Sequence, residues 1–186
     1  VSKGLFLNAD VKVYDATVGE TGTPLYTGST GASDGKYAFE LPEGFSKPLL
    51  IIVSAKAGGV STTLDEISGS TVMPEGFRLC AVIPSEAIVG TTVTGHVTPY
   101  TNLMCEVAKN HIGTSNADAA INQARNAVNQ ATGNMDPLST DPLGPIPTVQ
   151  HAMVSNIGIC AEATDDAARI QCAVNVLATL IEPIPV

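Results

Sequence analysis

Apolar and polar residues alternate through much of the first half of the chain. In residues 9–15 small or apolar side chains alternate with polar ones, and in residues 36–41 the apolar positions are Tyr37, Phe39 and Leu41. A period of two is typical of a strand with one buried face. Further segments have the composition of short strands, at 25–27, 48–55, 60–64 and 77–83. About six strands, separated by turn residues at short intervals, predict an antiparallel β-sandwich.

The pattern changes near residue 90, where Ala, Asn and Gln at helical spacing replace the alternating segments. Thr98 is the predicted N-cap of a first helix, because Pro99 follows it at a position where a missing N–H costs nothing. Gly113 is the predicted end of this segment. Residues 115–118 resemble a capping box for a second helix, whose alanine-rich stripe runs to Gly133. Both helices are therefore predicted from their start and end residues as well as from the helical spacing of their apolar residues.

A proline-rich connection follows at 134–147, since its four prolines forbid both a helix and a central strand. Thr148 is the predicted start of a third helix and residues 164–166 the start of a fourth, which ends before Pro183. The predicted fold is α+β. An N-terminal antiparallel β-sandwich covers residues 1–90, and a small α-helical domain of about four helices covers residues 91–186.

Charge and hydropathy limit the classes of partner. The chain has 18 acidic and 9 basic residues, a net charge of −9, so the clustered positive charge needed for nucleic acid or an anionic membrane is missing. Only 15% of residues are charged, against about 25% in ordinary domains. Either another molecule covers part of the surface, or small polar residues form it. The longest apolar run, 49–53, is strand-sized, and no transmembrane segment is predicted.

The four cysteines indicate the compartment. Their even number, without a CxxC pair or a histidine at ligand spacing, favours two disulfides over a metal site. Of the three possible pairings, Cys80 with Cys105 and Cys160 with Cys172 is favoured, because each pair lies on neighbouring predicted elements. Disulfides imply an oxidising compartment, so we expect a secreted or cell-surface protein in its mature form. The beginning of the sequence, at Val1, does not read as a signal peptide, and an earlier leader would have been removed.

Candidate catalytic and metal-binding patterns are missing from the sequence. His96, His111 and His151 do not form a zinc-helix pair, and there is no G-x-S-x-G elbow, P-loop or dinucleotide fingerprint. The acidic pairs at 65–66 and 165–166 lack the alternating oxygen ligands of a calcium loop. Eight Tyr and Phe residues with no Trp make a poor sugar-stacking surface. We therefore expect no catalytic residue, cofactor or metal.

Two motifs carry a resemblance. Residues 9–15, 34–39 and 41–42, with Leu25 and Thr27, resemble the "V-x-V-x-D" strand and "D-G-x-Y-x-F-x-L-P" hairpin of the carboxypeptidase regulatory-like (transthyretin-like) family. Residues 97–103 are similar to the start of a helical region in some bacterial surface proteins with such a sandwich, although Tyr100 replaces the usual Leu. The resemblance implies a sandwich of about seven strands used as a non-catalytic accessory or surface module. It brings no catalytic residues.

The resulting expectation is an exported, non-enzymatic structural module. It would assemble into a homo-oligomer or homopolymer, as a subunit of a surface fibre, pilus-like filament or coat. Leu5, Phe6 and Leu7 could add a strand to a neighbour's sheet edge. The alternative is that they form the first strand of their own sandwich. A second function remains open: a monomeric adhesion module that binds a peptide or glycan through loops such as 28–35. A third, an enzyme, would need a pocket that sequence cannot reveal.

Overall fold

A computed structural model describes residues 6–65, 69–91, 93, 95–131 and 136–139. This part of the chain is α+β, with two antiparallel sheets and two α-helices. The three-stranded sheet has the order β1-β5-β6, with β1 at Phe6–Leu7, β5 at Thr62–Asp65 and β6 at Gly69–Val72. The four-stranded sheet has the order β3-β2-β4-β7, with β2 at Asp10–Asp15, β3 at Tyr26–Ser29, β4 at Leu49–Ser54 and β7 at Arg78–Ile83. The helices are α1, Pro99–Ala108, and α2, Ala117–Ala131.

Strand β4 explains the layered arrangement. It lies between β2 and β7 and is apolar along almost its whole length. Because side chains alternate between the faces of a sheet, Leu49 and Ile51 enter one core while Leu50 and Ile52 enter another. A continuous apolar run is the pattern expected when both faces of a strand are covered.

The first core joins the two sheets. Inner-face residues of the four-stranded sheet pack there together with Phe6 of β1, Met73 after β6 and Phe77 before β7. The rings of Phe6 and Phe77 lie 5.8 Å apart between centroids. This core collects most of the apolar side chains predicted from the alternating segments.

The second core lies on the opposite face of the four-stranded sheet, where α1 and α2 pack against it. Helix α2 contributes small side chains, Ala117, Ala120 and Ala124, which are fully buried and permit a close approach. Its Gln123 and Asn126 are exposed and lie away from this core. Residues from both sides of the predicted division at residue 90 share this core, and the domain boundary itself stays a prediction.

Several predicted bounds are corrected. Residues 36–41 do not form a strand: only Glu40 makes an isolated bridge, and the segment is held instead by stacked rings. Helix α1 ends at Ala108, before the predicted Gly113. At the start of α2, Asp118 does not complete a capping box with Ser115, because its carboxylate accepts hydrogen bonds from the backbone N–H and hydroxyl of Ser85, at 2.8 and 2.5 Å.

The predicted third and fourth helices lie outside the described residues, so the four-helix prediction is reduced to two observed helices. Of the proline-rich connection, only 136–139 is described. Arg125 of α2 donates to both carboxylate oxygens of Asp136, at 2.9 and 2.6 Å. These bonds hold the pKa of Asp136 below its usual value.

Within the described ranges, no helix is long and apolar enough to cross a membrane.

Candidate functional site

A disulfide joins Cys80 of β7 to Cys105 of α1, with Cα atoms 6.0 Å apart. Both cysteines are buried. Asn102, one turn before Cys105, accepts a hydrogen bond from the backbone N–H of Cys80 at 2.7 Å. The Cys80–Cys105 disulfide is the first of the two predicted pairs. Cys160 and Cys172 lie outside the described residues.

An open cleft of about 450 Å³ lies beside this disulfide. Four of its lining residues belong to the second core or pack against it: Leu50 and both half-cystines are almost inaccessible to solvent, and Ile112 is partly buried beside them. More exposed residues complete the lining, among them Val18, Glu20, Thr21, Arg78, Glu106 and Lys109. The cleft therefore combines an apolar floor with a charged rim.

The rim charges form two ion pairs. Arg78 Nη2 lies 2.8 Å from Glu20 Oε1, and Lys109 Nζ lies 3.1 Å from Glu106 Oε2. Arg78 and Glu20 are each about half exposed. Exposed pairs of this kind contribute only about 0–1 kcal/mol, so their partners can be exchanged at low cost. The two positive and two negative charges of these pairs sum to zero, so the rim carries both signs of charge and no net charge.

Close backbone contacts hold the two loops that border the cleft. The Gly113 N–H donates to the Ala16 carbonyl at 2.8 Å. Gly19 and Gly113 both have positive φ, +68° and +87°, which glycine adopts without strain. A Cβ on Gly19 would lie 3.4 Å from a methyl carbon of Ile112. The local fold thus requires small residues here and preforms the cleft.

Asp15 anchors the first of these loops. Burial raises the pKa of its carboxyl, but hydrogen bonds from Lys47 and Thr17 outweigh that effect and hold the pKa below its usual value. The Thr17 N–H and the Lys47 ammonium donate at 2.9 and 2.7 Å. The loop therefore starts from a fixed, ionised side chain.

A second surface feature lies on the outer face of the three-stranded sheet. Val60, Leu64 and Val72 are 54%, 39% and 56% exposed. Leu64 lies two residues from Thr62, which is opposite Val72 in the register, and side chains alternate between faces, so Leu64 and Val72 share one face. Val60 continues the same alternation just before β5. We call these three residues the apolar face.

The predicted assembly segment pairs within its own chain. Phe6 lies opposite Thr63 and Leu7 opposite Thr62. This pairing matches the alternative interpretation, in which the segment forms a strand of the protein's own sheet. The segment stays with its own chain because Phe6 packs against the first core. Leu5 lies outside the described residues. The outer edge of β1 has no strand partner among the described residues.

Three of the chain's rings stack although the sequence suggested no aromatic platform. The centroids of Tyr26 and Phe39 are 5.6 Å apart, and those of Phe39 and Tyr37 are 6.3 Å apart. Tyr37 donates to the Gly95 carbonyl at 3.0 Å, and its burial raises the pKa of the phenol. These rings cover the edge of the first core, because they pack against it. Their contacts are internal, which argues for a structural role.

The candidate chemical residues stay apart. His111 is buried after α1 and His96 is half-buried before it; His151 lies outside the described residues. No group of three or more His, Cys, Asp or Glu side chains that could hold a metal ion occurs within the described ranges. The cleft could not be predicted from the sequence, because residues from distant segments line it. Of the two valines of the apolar face, Val60 lies in the predicted strand at 60–64, whereas Val72 lies in β6, which the sequence did not predict.

No protein-family model matches this chain, and neither a curated protein nor a solved structure was found to be significantly similar to it. The resemblance to the carboxypeptidase regulatory-like family therefore rests on the motifs at 9–15 and 34–42 alone. The cleft and the apolar face are the two surface features of the described residues that bear on function.

Proposed function

We propose that this chain is a non-catalytic extracellular structural module that associates with copies of itself, as a subunit of a surface fibre, pilus-like filament or coat. The apolar face carries the proposal. Val60, Leu64 and Val72 are three of the five large hydrophobic residues that are exposed in the described part of the chain. Exposed apolar side chains grouped on one face of a sheet support a contact with another protein at that face.

Charge and edge structure support the same role. The net charge of −9 over 186 residues is modest, and physiological salt screens it beyond about 8 Å, so repulsion between copies is weak. Strands β1 and β6 are, among the described residues, the two edge strands of the three-stranded sheet that carries the apolar face. Unpaired strand edges favour strand addition from a neighbouring molecule.

The disulfide supports export, because disulfides persist in oxidising compartments. We place the protein in the secreted or cell-surface class on that ground. We also propose that the two sheets form a sandwich of the carboxypeptidase regulatory-like type, since both contribute to the first core. That type of module acts without catalysis, in keeping with the proposed structural role.

Sedimentation velocity of the full-length, disulfide-intact chain from about 1 μM to 1 mM tests the proposal. The wild-type mass should rise with concentration, and electron microscopy should show regular assemblies. Val72→Lys should weaken association at least about tenfold, because it places a charge in the contact. Val89→Lys is the matched control, since Val89 is 80% exposed and lies outside the three-stranded sheet.

A wild-type chain that stays monomeric over this range would contradict the proposal, as would equal weakening by Val89→Lys. Monomeric behaviour would favour the second candidate function, a surface binding or adhesion module for a peptide or glycan. The observation that favours this candidate is the preformed cleft with its charged rim.

A further inference from the structure

The cleft beside the disulfide has the volume of a small-ligand site. Its volume of about 450 Å³ falls in the range of about 300–1,000 Å³ that ligand pockets occupy. Such pockets are mostly apolar, with a few polar groups that orient the ligand. Leu50, Ile112 and the Cys80–Cys105 disulfide supply the apolar part here, and the two ion pairs supply the polar part.

The rim determines the class of ligand. Two cations and two carboxylates with no net charge do not favour a polyanion or a polycation. A ligand with one charge of each sign can take a carboxylate to Arg78, whose planar guanidinium suits bidentate contact, and an ammonium to Glu20 or Glu106. Each protein charge then keeps a partner of opposite sign. The exposed ion pairs in the free protein cost little to open.

The cleft is also held in shape before any ligand arrives. The disulfide fixes α1 against β7, and the hydrogen bond between Gly113 and Ala16 fixes the two bordering loops. A preformed site avoids the free-energy cost of ordering its own side chains and loops on binding. We propose that this cleft binds a zwitterionic peptide of about dipeptide size, with apolar side chains on the floor and its charged ends at the rim.

The site does not depend on self-association, because the cleft and the apolar face share no lining residue. Its test uses the full-length, disulfide-intact chain and the dipeptide leucyl-leucine, followed by amide chemical shifts and by calorimetry. We expect saturable binding with a dissociation constant of about 1 mM or tighter, with shifts at Val18, Ile112 and Gly113. N-acetyl-leucyl-leucine amide, which has the same side chains and neither charge, should bind at least about tenfold more weakly.

Arg78→Gln should weaken leucyl-leucine binding at least about tenfold, since it removes the guanidinium and leaves an exposed position of β7 otherwise intact. Lys56→Gln is the matched control, because Lys56 pairs with Asp10 and does not line the cleft. Unfolding midpoints and thiol counts establish that both variants are folded and oxidised. The proposal is overturned by equal binding of the blocked peptide, by wild-type affinity in Arg78→Gln, or by no saturation at about 10 mM. Each result can be read whether or not the chain self-associates.

Discussion

Asn102 connects the first helix to the edge of the four-stranded sheet. Its side chain is 2% exposed, and its carbonyl oxygen accepts the N–H of Cys80 at the outer edge of β7. A buried backbone donor without a partner costs about 1–3 kcal/mol, so this single bond protects an otherwise open strand edge. Polar residues at such positions are poorly predicted from sequence, because the pattern of α1 alone does not reveal which strand it covers.

We predict that Asn102→Ala lowers the free energy of unfolding by about 2–3 kcal/mol, through the unpaired Cys80 N–H and the cavity left behind. Asn122→Ala is the control, since Asn122 is a half-buried amide on α2 and its loss should change stability by about 0.5 kcal/mol or less. Urea unfolding under non-reducing conditions measures both. Equal effects of the two substitutions would refute the role given to Asn102.

At the scale of elements, the first helix depends on its N-terminal cap. The Thr98 hydroxyl accepts the Thr101 N–H at 3.2 Å, and the Thr101 hydroxyl in turn accepts the Thr98 N–H at 2.8 Å. This is a capping box in which Thr takes the place of the usual Glu or Gln. Both threonines are buried, so water cannot replace these hydrogen bonds.

Thr98→Ala should therefore destabilise the protein by about 1–2 kcal/mol, while Thr98→Ser, which keeps the hydroxyl, should recover most of the loss. Thermal unfolding followed by circular dichroism provides the measurement. If the serine variant is as unstable as the alanine variant, the methyl group of Thr98 rather than the cap provides the stabilisation.

Elements with a strong local signal could be predicted from the sequence. Strands β2, β4 and β7 follow from apolar period or composition, and the two helices follow from the Thr98-Pro99 start and the alanine stripe. Strand β6 could not, because Gly69–Val72 has one apolar residue and pairs through its backbone alone. Residues 36–41 have the period of a strand, yet ring stacking holds them in place of a hydrogen-bonded ladder.

The candidate site was less predictable than the elements. Its disulfide follows from the cysteine count together with the expected position of Cys105 in a helix beside a strand. The rim of the cleft brings together Glu20 and Arg78, which are 58 positions apart. Charge pairs at that separation leave no local pattern, since they arise only when the loop before β3 meets the start of β7.

In the part of the molecule that the structure describes, two cores lie on opposite faces of the four-stranded sheet, and the disulfide crosses the second of them. The bridge closes a segment of 25 positions. A loop of that size restricts the unfolded chain and is expected to contribute about 3 kcal/mol to stability. The helices and the sheet should therefore unfold as one unit while the bridge is intact.

Replacing both Cys80 and Cys105 with Ser should lower the free energy of unfolding by about 2–4 kcal/mol and separate the loss of helix from the loss of sheet. Amide hydrogen exchange followed by nuclear magnetic resonance over a urea series, at α2 for the helices and at β2 and β4 for the sheet, gives the two transitions. Coincident transitions at the wild-type midpoint would show that the bridge neither stabilises nor couples the two cores.

The same bridge has a mechanical consequence for any assembly under load. Chain inside a closed covalent loop cannot be drawn out, and an extended residue spans about 3.4 Å, so the bridge over 25 positions withholds about 80 Å of length from a stretched subunit. Strands that precede Cys80 can yield to tension while the stretch from β7 to α1 stays short. The extensibility of such a fibre would then be set by the reducing power of its surroundings.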